Sequence, residues 1–383
     1  MVNKYYCPPH VGGVETVVRN LSEGLVEHAG ASVRAIVCNE GRQRVVEEIA
    51  GVEVVRLPRQ FALSSAPIAL SMPRVLAAEA RRAEPPDVVN LHFPYPWGEL
   101  SWLRANPDIP MVLSYHSDIV RQKRLLAAYR PFLEAALDRA DVITTSSPNL
   151  RDGSPFLTPR AEKVRIVDYG LHVESLAEPT PAVLARAAQI RGEHEGRPIV
   201  LFVGRLVYYK GADVLVRAMR GVDADLVVVG RGPLEGELRE VAVANGSAGK
   251  ITWVEPTGDE ELAAYFHAAD VFCLPSVANT EAFGLVQIEA HATGTPVVST
   301  DLPTSVPYAN LDGVTGLTVP VGDAGALASA LNRLLGDDEL RARLGAQARE
   351  RALSTFTIPR MVAQMLEVYG EAIDVHAAKR GRR

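Results

Sequence analysis

The sequence predicts an α/β protein built on doubly wound, mainly parallel sheets in two domains. Short apolar runs alternate with helix-length segments through both halves. The 383 residues exceed what one hydrophobic core usually supports. A stretch poor in large apolar residues, His172 to Arg197, separates the halves. Hydrophobic content of 47% and charged content of 22% are those of an ordinary globular chain. The net charge of −6 disfavours nucleic acid as a partner while leaving room for local basic patches.

Only Met1 and Val2 precede the polar pair Asn3-Lys4. A strand takes about 5–6 residues, so the first strand is expected to be missing or truncated, with the true start upstream. Gly13 to His28 is expected to be a helix, with Val17, Leu21 and Leu25 on one face. Strands are expected at Val33–Val37, Glu53–Leu57, Asp87–Leu91, Met111–Tyr115, Val142–Thr144 and Val164–Val167, with helices near 71–83, 97–105 and 120–139. His172 to Arg197 reads as a connection, helical around Ala182–Ile190. The second half repeats the rhythm with strands at Ile199–Val203, Asp225–Val229, Ile251–Val254, Asp270–Leu274 and Pro296–Ser299, and a short edge strand at Gly316–Val319. Helices at 323–335 and 337–353 follow. A last helix runs from Ile358 to about His376, with Pro359 in its first turn, where proline is tolerated. The tail AAKRGRR is expected to be disordered.

Two segments carry chemistry. In PSVANTEAFGLVQIEAHATGTPVVST, seven residues separate Glu281 from Glu289. Eight helical steps turn through roughly 800°, so one amphipathic rod explains the spacing poorly. A loop bearing Glu281, then a helix from near Gly284 to Gly294 holding Glu289, explains it better. The N–H groups at such a helix start suit an anionic or hydroxyl-rich ligand. Upstream, an apolar strand ends at Gly204, followed by Arg205, Lys210 and a helix opening at Gly211. Two cations then sit at the carboxyl edge of a sheet, where open α/β folds bind ligands. Neither the Walker loop nor Gly-x-Gly-x-x-Gly is present there.

Five motifs lie in order along nearly the whole chain: Gly12-Gly13-x-Glu15, YHSD at 115–118, GRLxxxKG at 204–211, GRGP at 230–233, and the Glu-x7-Glu segment with its Phe-Gly. Together they resemble the retaining glycosyltransferases of family 4, most closely bacterial surface-polysaccharide enzymes, mannosyltransferases among them. The resemblance implies the GT-B fold: two Rossmann-like doubly wound domains facing across a cleft, with the C-terminal helix crossing back to the N-terminal domain. The implied domains are 1–172 on the acceptor side, 173–197 as connection, 198–355 binding the nucleotide-sugar donor, and 356–383 as crossing helix and basic tail. Arg205 would grip phosphate through paired N–H bonds and Lys210 as a point charge. With both in place no metal is expected. The Gly12 and Gly13 backbone would approach the diphosphate. His116, with Asp118 nearby, would lie beside the anomeric carbon. Glu281 would hold sugar hydroxyls, aided by the N–H groups of Phe283, Gly284 and Leu285, while Glu289 would hold the ribose. The base would lie between the Gly230-Arg231 turn and the segment after Ile251–Val254, near Glu255, and Gly204 would also belong to the donor site.

The resemblance also implies a hexose donor, with mannose from GDP-mannose the first expectation and a UDP-sugar the alternative, and a glycan or lipid-linked glycan acceptor. No first-domain residue is marked as a general base, and Glu281 is assigned to remote hydroxyls, so retention by front-face attack is expected. A sugar-nucleotide epimerase and a non-catalytic nucleotide-sugar-binding protein are the competing readings. The intact Glu-x7-Glu with GRLxxxKG argues against the first, and the filled charged site positions disfavour the second. Cys7, Cys38 and Cys273 have no metal spacing, and Cys38 and Cys273 lie in apolar runs, as buried free thiols in a reducing cytosol would. No run spans a bilayer and no signal peptide is visible, so a cytoplasmic location is expected. Arg121, Lys123, Arg124 and Arg130, next to Leu125, Leu126 and Tyr129 on an expected helix, read either as a solvated face or as a patch for peripheral contact with anionic membrane at its inner face.

Overall fold

The computed structural model describes every residue except 10–11, 64–65, 120–122 and 382–383, and leaves out the side chains of 123–126. It divides into two compact units, Met1–Gly170 with Ile358–Arg383, and Leu171–Thr357.

The first unit contains β1 (Arg34–Cys38), β2 (Val45–Ile49), β3 (Val52–Leu57), β4 (Phe61–Leu63), β5 (Ala66–Ile68), β6 (Val89–Phe93), β7 (Met111–Tyr115), β8 (Val142–Thr145) and β9 (Val164–Ile166). Strands β6-β7-β8-β9 form a parallel array, and β1-β3-β2 form a mixed one in which β1 and β3 are parallel. Between them lies Val2, bridged in parallel to both Ile36 and Leu91. The Val2 N–H donates to Asn90 O at 2.8 Å, and the His92 N–H donates to Val2 O at 2.9 Å. The few residues before Lys4 thus fill the central lane of this sheet.

Three strands were not anticipated. β2 pairs antiparallel with β3 through a turn at Ala50 and Gly51, which have φ of 49° and 78°. That is the backbone sign a two-residue hairpin requires. Four of the five β2 residues are exposed, so no apolar alternation marks it. The β4–β5 hairpin is likewise short and antiparallel.

The sheet's apolar face, including Leu91, Phe93, Met111, Leu113, Tyr115 and Ile143, packs on helices Met72–Glu79, Pro96–Ala105 and Lys123–Arg139. The last helix, Ile358–Gly381, belongs to this unit and packs against helix Gly13–Ala29. Arg165 holds Glu371 with bonds of 2.9 and 2.5 Å, and the Asn90 amide donates to the Tyr369 hydroxyl at 3.0 Å. The expected disorder of the tail is corrected here, because the helix continues through Gly381. Lys379 Nζ reaches Asp141 at 2.8 Å and Arg380 reaches Asp108 at 3.3 Å. Cations in a last helical turn are also favoured by the helix dipole.

The second unit carries β10 (Ile199–Val203), β11 (Asp225–Val229), β12 (Ile251–Val254), β13 (Val271–Leu274), β14 (Val297–Thr300) and β15 (Gly316–Val319) in the order β12-β11-β10-β13-β14-β15. Every pairing is parallel. Leu201, Val227 and Phe272 point to one face, under helices Pro181–Glu193 and Asp259–Ala268. Val200, Leu226 and Cys273 point to the other, under Ala212–Ala218 and Ala324–Leu335. Burial on both faces is why these strands read as unbroken apolar runs. The segment 173–197 is no bare linker: Val183, Ala187 and Ile190 of its helix sit in this core, and Thr180 caps that helix by accepting from the Val183 N–H at 3.3 Å.

All three cysteines are buried free thiols, Cys7 included. Burial pushes the Cys38 thiol up to about 11. Among the described residues no helix is long and apolar enough to cross a membrane.

Candidate active site

In the second unit the strand order reverses between β10 and β13. Chain connections leave these neighbouring strands in opposite directions, which opens a crevice at their carboxyl ends. Arg205 and Lys210 lie on the loop after β10, and Glu281 lies on the loop after β13. The two loops meet at that point. Lys210 Nζ is 2.6 Å from Glu281 Oε2, with side chains only 14% and 9% exposed. Ser276 donates its hydroxyl to the same carboxylate oxygen at 3.2 Å.

Backbone contacts fix this junction. The Val277 N–H donates to Tyr209 O at 2.8 Å. Gly211, at φ 65°, lies so close to the other loop that a Cβ would stand 2.0 Å from Pro275 O. No other residue fits there without moving a backbone. The Tyr208 hydroxyl and Thr280 Oγ1, 3.2 Å apart, add a side-chain tie. Arg205 is exposed and has no ionic partner among the described residues. One cation is therefore held against a carboxylate while its neighbour projects into solvent.

Gly204 and Gly230 end β10 and β11 side by side. A Cβ on Gly230 would lie 2.1 Å from Gly204 O. Arg231 is in ion contact with Glu255, and both side chains are mostly exposed. These two turns and the end of β12 therefore present their polar groups at one edge of the sheet.

Phe283 is buried with its ring edge-on to Phe356 at 5.9 Å, so only its backbone is available to a ligand. Gly284 adopts φ 73°, and the helix begins at Val286 and ends at Ala292, shorter at both ends than expected. Leu285 is the residue before its first turn, and Glu289 lies one turn inside. Glu289 is half-buried. The protein packed around its carboxyl pushes it up to about 7, with Asp259 adding to the rise and Lys210 opposing it. Asp259 opens the helix after β12, and no motif links it to Glu289, 30 residues later, whose carboxyl its charge reaches.

In the first unit, Gly12 precedes helix Gly13–Ala29 and makes no side-chain cap. The two residues before it lie outside the described set. A Cβ on Gly12 would stand 2.5 Å from the Glu15 carboxylate, and Lys4 is close enough to Glu15 for the two charges to interact. His116 follows β7 and is 4% exposed. Its Nε2 is 3.0 Å from His92 Nδ1, and its Nδ1 is 2.6 Å from the Tyr169 hydroxyl. Burial lowers its pKa to about 4, so the ring is neutral at ordinary pH. Asp118 accepts from the Tyr115 hydroxyl at 2.6 Å and the Ser154 hydroxyl at 2.7 Å, bonds that tie its carboxylate into its own unit.

The basic patch falls largely outside the described set: Arg121 is not described, and the side chains of Lys123, Arg124, Leu125 and Leu126 are not. Arg130 is exposed and paired with Glu134 at 2.8 Å. Tyr129 instead donates its hydroxyl to Glu99 at 2.7 Å; Glu99 is fully buried, and burial pushes its carboxyl up to about 7.

Comparison with known proteins places this architecture. Residues 185–351 match the model for glycosyl transferases group 1, and residues 11–175 match that for glycosyltransferase family 4. O-antigen chain mannosyltransferase C of Escherichia coli is 31% identical over 368 residues, covering 96% of each chain. The D-rhamnosyltransferase WbpZ of Pseudomonas aeruginosa is 33% identical over 357 residues, covering 92% of this chain and 91% of that one. Among solved structures, sucrose-phosphate synthase from Thermosynechococcus elongatus superposes with a TM-score of 0.79 at 26% identity, over 97% of this chain and 98% of the other. Relatives more than 30% identical align over more than nine-tenths of the chain, and each unit is built on a sheet with parallel strands; the chain belongs to glycosyltransferase family 4 and has the GT-B fold.

Proposed function

We propose that this chain is a retaining, metal-independent hexosyltransferase of polysaccharide assembly, moving mannose from GDP-mannose onto a glycan or lipid-linked glycan. The observation that carries the reading is the junction of Lys210 and Glu281 at the switch point, with Arg205, exposed and without an ionic partner among the described residues, on the same loop as Lys210. It couples a phosphate-type cation to a hydroxyl-type acceptor over one ion pair. The sugar and pathway are suggested by the O-antigen mannosyltransferase and the rhamnosyltransferase, which align over nearly the full length.

In this reading Arg205 and Lys210 take the negative charge that grows on the departing diphosphate, an effect commonly worth several kcal/mol. The Gly12 and Gly13 amides add donors without a metal. Glu281 and the N–H groups of Phe283, Gly284 and Leu285 orient the hexose. Glu289 accepts from the ribose hydroxyls, and Gly204, Gly230, Arg231 and Glu255 surround the base. His116 steadies the sugar at the anomeric carbon. No carboxylate is assigned within reach of that carbon for a double displacement. The acceptor hydroxyl therefore attacks on the face the phosphate leaves, and the phosphate oxygen takes its proton. An α-linked donor gives an α-linked product.

The test is acceptor-dependent nucleotide release across a panel of GDP- and UDP-sugars, with proton NMR of the fresh product. GDP-mannose turnover with an α-linked product is expected. A β-linkage from an α-donor would overturn retention, and turnover with UDP-sugars alone would overturn the donor assignment.

A further inference from the structure

We propose that His92 is a positioning residue for His116, holding its ring and fixing which of its nitrogens carries the proton. The inference rests on the reading that His116 acts on the donor sugar.

The local topology builds the pair. β6 and β7 are parallel neighbours in which His92 is the register partner of Ser114, and the His116 N–H donates to Phe93 O at 3.1 Å. Two residues beyond Ser114, His116 returns to the side of the sheet that His92 occupies. The rings lie 5.3 Å apart with planes 8° from parallel, and Nδ1 of one faces Nε2 of the other at 3.0 Å. His92 is 1% exposed. Tyr169 continues the line on the far side of His116 at 2.6 Å, and its hydroxyl also meets the Ser146 side chain.

Two neutral imidazoles carry one proton each, so a line of this kind has only two settings. In one, Tyr169 donates to His116 Nδ1, His116 donates from Nε2 to His92 Nδ1, and the His92 proton sits on Nε2. In the other, every bond reverses. Both ring nitrogens of His116 are engaged in either setting, and the proton on His116 is decided by what His92 does with its own. His92 Nε2 and Thr145 Oγ1 have no hydrogen-bond partner among the described residues, and His92 and Thr145 both line one small cavity of about 20 Å³. That volume admits one water, which needs polar partners of this kind. A hydrocarbon at 92 would leave His116 Nε2 buried and unbonded, a loss that both turns the ring and scrambles its proton.

The experiment uses the full-length enzyme. His92→Phe is expected to lower kcat at least tenfold while the nucleotide Kd stays within twofold. His92→Asn, whose amide falls where Nδ1 was, is expected to restore most of the turnover. Nitrogen-15 NMR of histidine-labelled protein at pH 7 reads the tautomer directly: one tautomer of His116 in the native enzyme and in His92→Asn, a mixture in His92→Phe. Unchanged turnover, or an unchanged His116 tautomer, in His92→Phe would overturn the proposal. His116→Ala separates the two ideas. If it keeps full turnover, the role of His116 itself is wrong. If it loses turnover while His92→Phe keeps it, only the positioning role falls.

Discussion

Lys210→Met is the most informative perturbation of the switch-point junction. The 2.6 Å separation of Nζ and Oε2 gives a gross attraction of about 6 kcal/mol at an effective dielectric near 20. Taking both ions out of water returns several kcal/mol of that. We expect a net coupling of about 2 kcal/mol. Removing the ammonium alone leaves the Glu281 carboxylate enclosed with only the Ser276 hydroxyl beside it, at an expected cost of about 3 kcal/mol. Lys210→Met should be less stable than Lys210→Met/Glu281→Gln by about 3 kcal/mol at pH 8, because only the single variant keeps an enclosed carboxylate without its cation. Hydrogen exchange of peptides spanning β10 and β13 confines the measurement to this unit. Equal protection of the single and double variants at pH 8 would refute the ion-pair account.

Arg205→Ala should lower kcat tens- to thousands-fold with a smaller change in donor Kd, because its partner charge grows in the transition state; steady-state kinetics with a titrated donor checks this. EDTA should leave turnover unchanged, and strict dependence on a divalent ion would contradict the metal-free reading. With the Glu289 carboxyl raised to about 7, its ionised, ribose-accepting form fills in between pH 6 and pH 8. Nucleotide affinity should strengthen by about tenfold across that window, and calorimetry should find the dependence gone in Glu289→Gln. Because the folded pKa lies above the unfolded one, the native protein should also lose stability relative to Glu289→Gln as pH rises through 7.

The α/β class and most strands were legible because buried parallel strands write themselves as apolar runs, as Ile199–Val203 and Met111–Tyr115 do. What escaped was set by pairing rather than by pattern. β2 exposes four of its five residues and is held only by its hairpin to β3. The tail is ordered by Asp108 and Asp141, more than 230 residues away in the chain. The same division runs through the candidate site. Arg205, Lys210, Glu281 and Glu289 are visible as motifs because each lies at a strand end or helix start with a local signature. Their meeting is not visible, since the Lys210–Glu281 contact depends on β10 and β13 being neighbours in the sheet. His92 and Tyr169 lie 24 and 53 residues from His116, on separate elements, in segments with no motif of their own. A lone histidine after a strand announces a position, and its chemistry is decided by the next strand over. The same holds for Asp259, which acts on Glu289 only because the β12 loop and the helix after β13 share one edge of the sheet. Residues that act through a partner are therefore the ones a single sequence conceals, and in this chain they surround both halves of the proposed chemistry.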